Sequence, residues 1–218
     1  MTPGQLVAAY PRVYHMAEAG TWPSIRQHGL LSSNEVARRS GAQGAAAAAL
    51  IRGHRAGKVT VSVPGLGDLV LRDQIPMHPD RISRALPPGM SAGDWYELIN
   101  ERVFFWAEEH RLHRLLNGKE YGHLEHDVLT LDTASLVQAH HDRIRLCHMN
   151  SGNTFPAMTK RGPEIFKPIA DYEVTRTGRP RKAVVEVTVL GGVPDIRRHV
   201  VEARRMRGEQ VLGVLNLD

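Results

Sequence analysis

The sequence predicts an α+β fold with largely antiparallel sheets, and two observations carry that expectation. Segments with period-two alternation, among them KVTVSV, RVFFWA and AVVEVTVL, are mixed with helical patterns but without a strict strand-helix-strand rhythm. The later half is mostly strand pattern, which favours sheets built from hairpins and neighbours over a parallel, helix-covered sheet. At 218 residues the chain fits one folded unit with a full core.

Residues 4–10 suit a turn or two of amphipathic helix ended by Pro11, and RVYHM then reads as a strand. Thr21 is placed to cap a short helix that tolerates Pro23 in its first turn, and Gly29 to close it in a left-handed conformation. Ser32 and Glu35 have capping-box spacing, and GAAAAALIRGHRAG reads as an alanine-rich helix bracketed by glycines. KVTVSVPG is a strand or half a hairpin. Pro76, Pro79, Pro87 and Pro88 make the stretch after Leu71 an irregular connection with one short helix. Ser91 and Asp94 cap DWYELINE, which leads into the strand RVFFWA. EEHRLHRLLNG then puts Leu112, Leu115 and Leu116 on one helical face before the Asn117-Gly118 stop. DVLTLD, DRIRLCHM and AVVEVTVL read as strands, followed by a last pair around Gly208, HVVEARRM and QVLGVLNL. The intervening NSGNTFPAMTKRGPEIFKP is polar, basic and rich in turn residues.

Composition narrows the function classes. The chain is 42% hydrophobic and 23% charged, with no apolar run long enough for a membrane and no basic-apolar leader, so a soluble, cytoplasmic protein is expected. The lone Cys147 cannot form an internal disulfide and reads as a strand filler. The formal charge of +5 is concentrated late, in Lys160, Arg161, Lys167, Arg176, Arg179, Arg181 and Lys182 and then Arg197, Arg198, Arg204, Arg205 and Arg207. Such clusters suit a polyanion such as nucleic acid, or simply a solvated basic face.

Neither a Rossmann nor a P-loop glycine pattern is present, and no G-x-S-x-G elbow anchors a hydrolase triad. The histidine pairs His110/His113, His123/His126 and His140/His141 lack a completing ligand motif, so no metal is expected. The strand VVEVTV is more informative. Alternation sets Glu186 beside Val184, Thr188 and Leu190 on a half-buried face, where a carboxylate needs either a cross-strand partner such as Arg204 or Arg197, or a catalytic purpose. Arg72, in LVLRDQIP, has a fork suited to phosphate oxygens, with a surface pair to Asp68 or Asp73 as the alternative.

Three stretches together resemble the nucleotide-binding motifs of the ADP-ribosyltransferase superfamily. YHMA followed by WPSIRQHGLL resembles the first motif, a strand ending in an aromatic-His pair and then a helix with Ile-x-x-x-Gly-Leu. It is similar to the His-Gly-Thr version in poly(ADP-ribose) polymerases and closer still to the Tyr-His-Ile version of DarT-type enzymes. RVFFWAEEHRLHRLLNGKEY resembles the middle motif, with Tyr121 at the end of its helix, and KAVVEVTVLGGVPDI resembles the final strand with its catalytic Glu. Met16-Ala17 stands where the polymerases have Gly-Thr.

The resemblance implies two packed, mostly antiparallel sheets with peripheral helices and a central cleft, formed by residues 1–218 as one domain; a mainly helical insertion near 37–100 is unlike the compact polymerases. It implies NAD as substrate, bound by Tyr14, His15, Met16, Arg72, Trp106 and Tyr121. His15 is expected on the adenosine ribose, the Met16 backbone on the nicotinamide amide, Tyr121 or Trp106 stacked on the nicotinamide, and Arg72 near the pyrophosphate. Glu186 is expected to orient the nicotinamide ribose and support positive charge at the anomeric carbon. The acceptor is open, with nucleic acid the class the basic half favours. An RNA 2′-phosphotransferase and a non-catalytic nucleic-acid-binding module are the alternatives.

Overall fold

The computed structural model describes residues 1–155 and 158–218; Pro156 and Ala157, inside the basic segment after Asn150, lie outside the described residues. In chain order the elements are α1 (Pro3–Ala9), β1 (Arg12–Glu18), α2 (Trp22–His28), β2 (Leu30–Leu31), α3 (Ser33–Arg39), α4 (Gly44–Arg52), the hairpin β3 (Val59–Val63) and β4 (Gly67–Leu71), α5 (Pro79–Ala85), and α6 (Ala92–Asn100). They continue with β5 (Arg102–Trp106), α7 (Glu109–Leu116), β6 (Glu125–Asp132), α8 (Thr133–His140), β7 (Ile144–Cys147), β8 (Glu186–Leu190), β9 (Gly192–Val193), β10 (Val200–Arg207) and β11 (Gln210–Val214). The fold is α+β, as the mixed periodicities predict.

Local chemistry sets several of these ends. Thr2 and Ser91 close reciprocal capping boxes at α1 and α6. Ser32 accepts the Glu35 N–H at α3, but the Glu35 carboxylate turns to Arg38 and Arg39, so only half of the expected box forms. Thr21 does not cap α2; its hydroxyl donates to the Glu18 carbonyl. Asp127 on β6 supplies the cap instead, its Oδ2 accepting the N–H groups of Gly20 at 2.9 Å and Trp22 at 3.0 Å. A carboxylate there satisfies orphan donors and complements the positive helix end. The α7 helix stops at Leu116, so Tyr121 lies in the turn beyond it and not at its end.

The main sheet has seven strands in the order β11-β10-β6-β1-β5-β8-β7, all antiparallel. The expectation of two sheets packed face to face is corrected by this single sheet, which is nevertheless divided. β1 matches β6 residue by residue from Arg12 opposite Asp132 to Glu18 opposite His126, and β5 matches β8 from Arg102 to Trp106. Between the two halves, β1 and β5 are in register only at Tyr14 opposite Trp106. Continuing the ladder would set Met16 against Phe104, but the Phe104 carbonyl is taken by the His15 ring, whose Nδ1 lies 2.8 Å away. The strands therefore part beyond Tyr14, and the gap opens between residues 15–18 and 102–105.

One face of the sheet carries the main core, where Val13, Phe105, Leu129, Leu131, Leu146 and Val187 pack with Leu6 of α1 and Leu136 and Val137 of α8. On the other face, Trp95, Tyr96 and Ile99 of α6 and Ile82 of α5 meet Phe166, while Leu112 and Leu116 of α7 cover Met16 and Val128. Residues 37–100 hold α4, α5, α6 and the β3–β4 hairpin, with Val61, Val63 and Leu71 packed on Val36. Among the described residues no helix is long and apolar enough to cross a membrane.

Candidate active site

The parted strands open into a cavity of about 420 Å³ lined by His15, Met16, Arg72, Trp106, Tyr121 and Glu186, residues that lie far apart in sequence. Of the residues predicted to form the site, Tyr14 alone is not part of its lining. Tyr14 sits at the last position where β1 is in register with β5, packed in the cluster of Met16, Leu112 and Leu116 under α7.

The position of Glu186 follows from register. Tyr14, Trp106, Glu186 and Cys147 form one row across β1, β5, β8 and β7, so their side chains share a face. Glu186 is 4% exposed; its Oε1 accepts the Ser151 N–H at 3.1 Å, and its buried Oε2 has no partner among the described residues. Burial raises its pKa to about 7, against the Ser151 hydrogen bonds and the charge of Arg161, which pull it down. Neither Arg204 nor Arg197 is its partner: Arg204 pairs with Glu109 at 3.0 Å and Glu202 at 3.2 Å.

His15 sits over Phe105, ring centroids 5.7 Å apart. A carbonyl cannot donate, so Nδ1 carries the hydrogen and Nε2 is left with a lone pair. Loss of hydration lowers the His15 pKa to about 4, with the Phe104 bond opposing and the nearby Arg72 charge assisting. The ring is therefore a neutral acceptor at physiological pH.

Arg72 closes β4 into the cavity. Its guanidinium lies 5.0 Å from the Tyr121 ring centroid and 4.0 Å from Asp73, while Asp68 bonds Ser62 instead. The Tyr121 hydroxyl donates to Asp73 at 2.7 Å, and burial, then Asp73, raises its pKa. One face of the Tyr121 ring is thus already covered by Arg72, whereas Trp106 stands directly beside Glu186 in register. Buried His126 completes this corner, its Nε2 donating to the Tyr121 carbonyl at 3.2 Å.

Sequence reading missed Arg55, which is 8% exposed and lines the same cavity. It donates to the Arg72 carbonyl at 2.8 Å and Asn100 Oδ1 at 2.9 Å, and burial lowers its pKa to about 10 with Asp73 opposing. Nothing local in GHRAG signals a buried arginine; the polar run Arg72-Asp73-Gln74 directly after a strand was the available hint. Ser151 contributes a backbone N–H, which its side chain does not announce.

Two further features bear on the expectations. The last part of the late basic cluster is paired: Arg205 with Asp127 at 2.5 Å, Arg207 with Glu125 at 2.7 Å, and Arg204 with Glu109 and Glu202 as above. Away from the cavity, His140, Asp195 and His199 converge. Arg143 donates to His140 Nδ1 at 2.6 Å, so His140 Nε2 carries a hydrogen and donates to Asp195 at 2.7 Å, an arrangement of a hydrogen-bonded network rather than of free metal ligands.

A family model matches residues 11–200. The chain belongs to DUF7002, a family of unknown function. No curated protein and no solved structure matches the chain. The matched region of this DUF7002 member runs from the start of β1 to the start of β10 and so includes every cavity residue named above.

Proposed function

We propose that the cavity binds NAD and transfers ADP-ribose to an acceptor nucleophile. The observation that carries this reading is the convergence of His15 and Glu186 on one cavity, a neutral acceptor and a buried carboxylate with one free oxygen. His15 Nε2 accepts a ribose hydroxyl. The gap between β1 and β5 leaves Met16 without a partner on the β5 side, free to meet an amide. Trp106, beside Glu186, is the better placed of the two rings to stack on nicotinamide, since Arg72 covers Tyr121. Arg72 and Arg55 suit a pyrophosphate.

In the reaction the bond between ribose C1′ and the nicotinamide nitrogen breaks, and its electron pair leaves with neutral nicotinamide. Ionised Glu186 stabilises the positive charge that develops on the ribose more than it stabilises the ground state. The acceptor lone pair then bonds to C1′, and its proton passes to Glu186 Oε2 and on to solvent. A second cavity of about 530 Å³ shares Trp106 and Tyr121 and is rimmed by Arg114, Lys119, Glu120, His148 and Arg111, the last paired with Glu108. This supports an anionic acceptor, with nucleic acid the favoured class.

The test is nicotinamide release from NAD. Wild type releases it, Glu186→Gln loses about 100- to 1000-fold while still binding NAD, and His15→Ala loses at least about tenfold. Rates in both variants equal to wild type would overturn the proposal. The two cavity arginines also favour a second reading, an RNA 2′-phosphotransferase; loss of phosphate from 2′-phosphorylated RNA with no effect of Glu186→Gln would select it.

A further inference from the structure

Arg161 lies in the polar segment TKRGPEI, where composition suggests a solvated side chain, yet it is 2% exposed. Among the described residues its guanidinium meets only carbonyls: Nε donates to Thr159 at 3.1 Å, and Nη1 to Ser151 at 2.8 Å and more weakly to Asn150 at 3.5 Å. Its own N–H is anchored on the Ala85 carbonyl at the end of α5, 2.9 Å away. A buried guanidinium with neutral partners keeps most of its desolvation cost unless a negative charge lies close by.

That charge is one peptide group away. The Asn150 carbonyl and the Ser151 N–H belong to the same peptide unit; the carbonyl faces Arg161, and the N–H donates to Glu186 Oε1 at 3.1 Å. The peptide dipole is aligned between cation and carboxylate. We infer that Arg161 is the positioning residue and counter-charge of Glu186, holding the 150–152 turn so that Oε1 is fixed while buried Oε2 is left without a partner among the described residues. The other groups around Glu186 do not compete for this role. Trp106 on β5 is uncharged, and the Cys147 thiol on β7 is held neutral because burial pushes its pKa up. Arg102 acts on Cys147 and is committed to the Leu98 carbonyl and the Phe166 ring. Across the cavity His15 is neutral and Arg72 is engaged with Tyr121.

The inference rests on Glu186 as the working carboxylate of the proposed reaction, but its first test does not use activity. Unfolding at pH 8 is measured for wild type, Arg161→Gln, Glu186→Gln and the double variant, and the Glu186 carboxyl is titrated by carbon NMR. Arg161→Gln is expected to destabilise the wild type and to cost at most half as much in the Glu186→Gln background, because the buried carboxylate that needs the cation is gone. It is also expected to weaken Glu186 ionisation at least tenfold, and Arg161→Lys, which keeps the charge but not the fork, to fall between. In nicotinamide release the acid limb of kcat/KM moves up in pH by the same factor. Equal costs in both backgrounds with an unmoved Glu186 titration would reduce Arg161 to a loop staple and overturn the inference. If Arg161→Gln fails to fold, Arg161→Lys decides by the same titration. A positive cycle in a wild type that releases no nicotinamide would keep the Arg161–Glu186 coupling and remove the proposed reaction.

Discussion

Above neutral pH the Glu186 carboxylate is ionised and buried, with one oxygen unpaired among the described residues, and all three conditions oppose folding. Its pKa rises from 4.5 to about 7 on folding, so between those values the folded chain holds a proton that the unfolded chain has released. The group costs nothing below about pH 4.5, costs progressively more up to about pH 7, and a constant amount beyond. Glu186→Gln is therefore predicted to be more stable than wild type at pH 8, by up to roughly 3 kcal/mol, and indistinguishable from it near pH 4. Urea unfolding at the two pH values reads this, and a less stable variant at pH 8 contradicts it. His15 behaves oppositely: its lowered pKa makes its contribution complete above about 6.5 and lost as the pH falls toward 4. Activity should accordingly rise with pH through a single group near 7, removed in Glu186→Gln, with no limb from His15 between pH 5 and 8. A histidine-like limb near 6.5 in kcat/KM would contradict the neutral His15.

Among the elements, the short pair of β2 and β9 supports the cavity floor, and Gly29 sits where it meets Pro194. Gly29 has φ +87°, and a Cβ there would lie 2.6 Å from the Pro194 Cα. Gly29→Ala is predicted to destabilise by roughly 2 to 4 kcal/mol in chemical unfolding. A loss below about 0.5 kcal/mol would show that the crossing relaxes freely. The glycine stop was legible from its place after WPSIRQH, as were β5, β6, β8 and the β10–β11 hairpin from their alternation. The α2 cap was not, because Asp127 comes from a strand more than a hundred residues later. The division of the sheet was equally hidden, since the single Tyr14–Trp106 register pair is a tertiary outcome of non-consecutive strands.

Across the whole molecule, the residues legible in sequence were those whose chemistry conflicts with their local pattern: a histidine within a strand, and a glutamate on an apolar strand face. Arg55 and Ser151 escaped notice, and Asp73 and Arg161 read as surface charges, because each lies in a polar stretch where such residues are ordinary. Only the packing of residues 37–100 and 150–162 against the divided sheet gives them their places. The same packing predicts a global response to ligand. NAD at about a hundred times its dissociation constant is predicted to add about 2.7 kcal/mol to the stability of the whole chain, because it binds the folded state alone. The most direct measurement is calorimetric titration of NAD into the Glu186→Gln protein, with and without His15→Ala. Saturable one-to-one binding to Glu186→Gln is predicted, weakened at least about tenfold when His15 is also replaced. An absence of binding at millimolar NAD, or equal affinity in the two proteins, would contradict it.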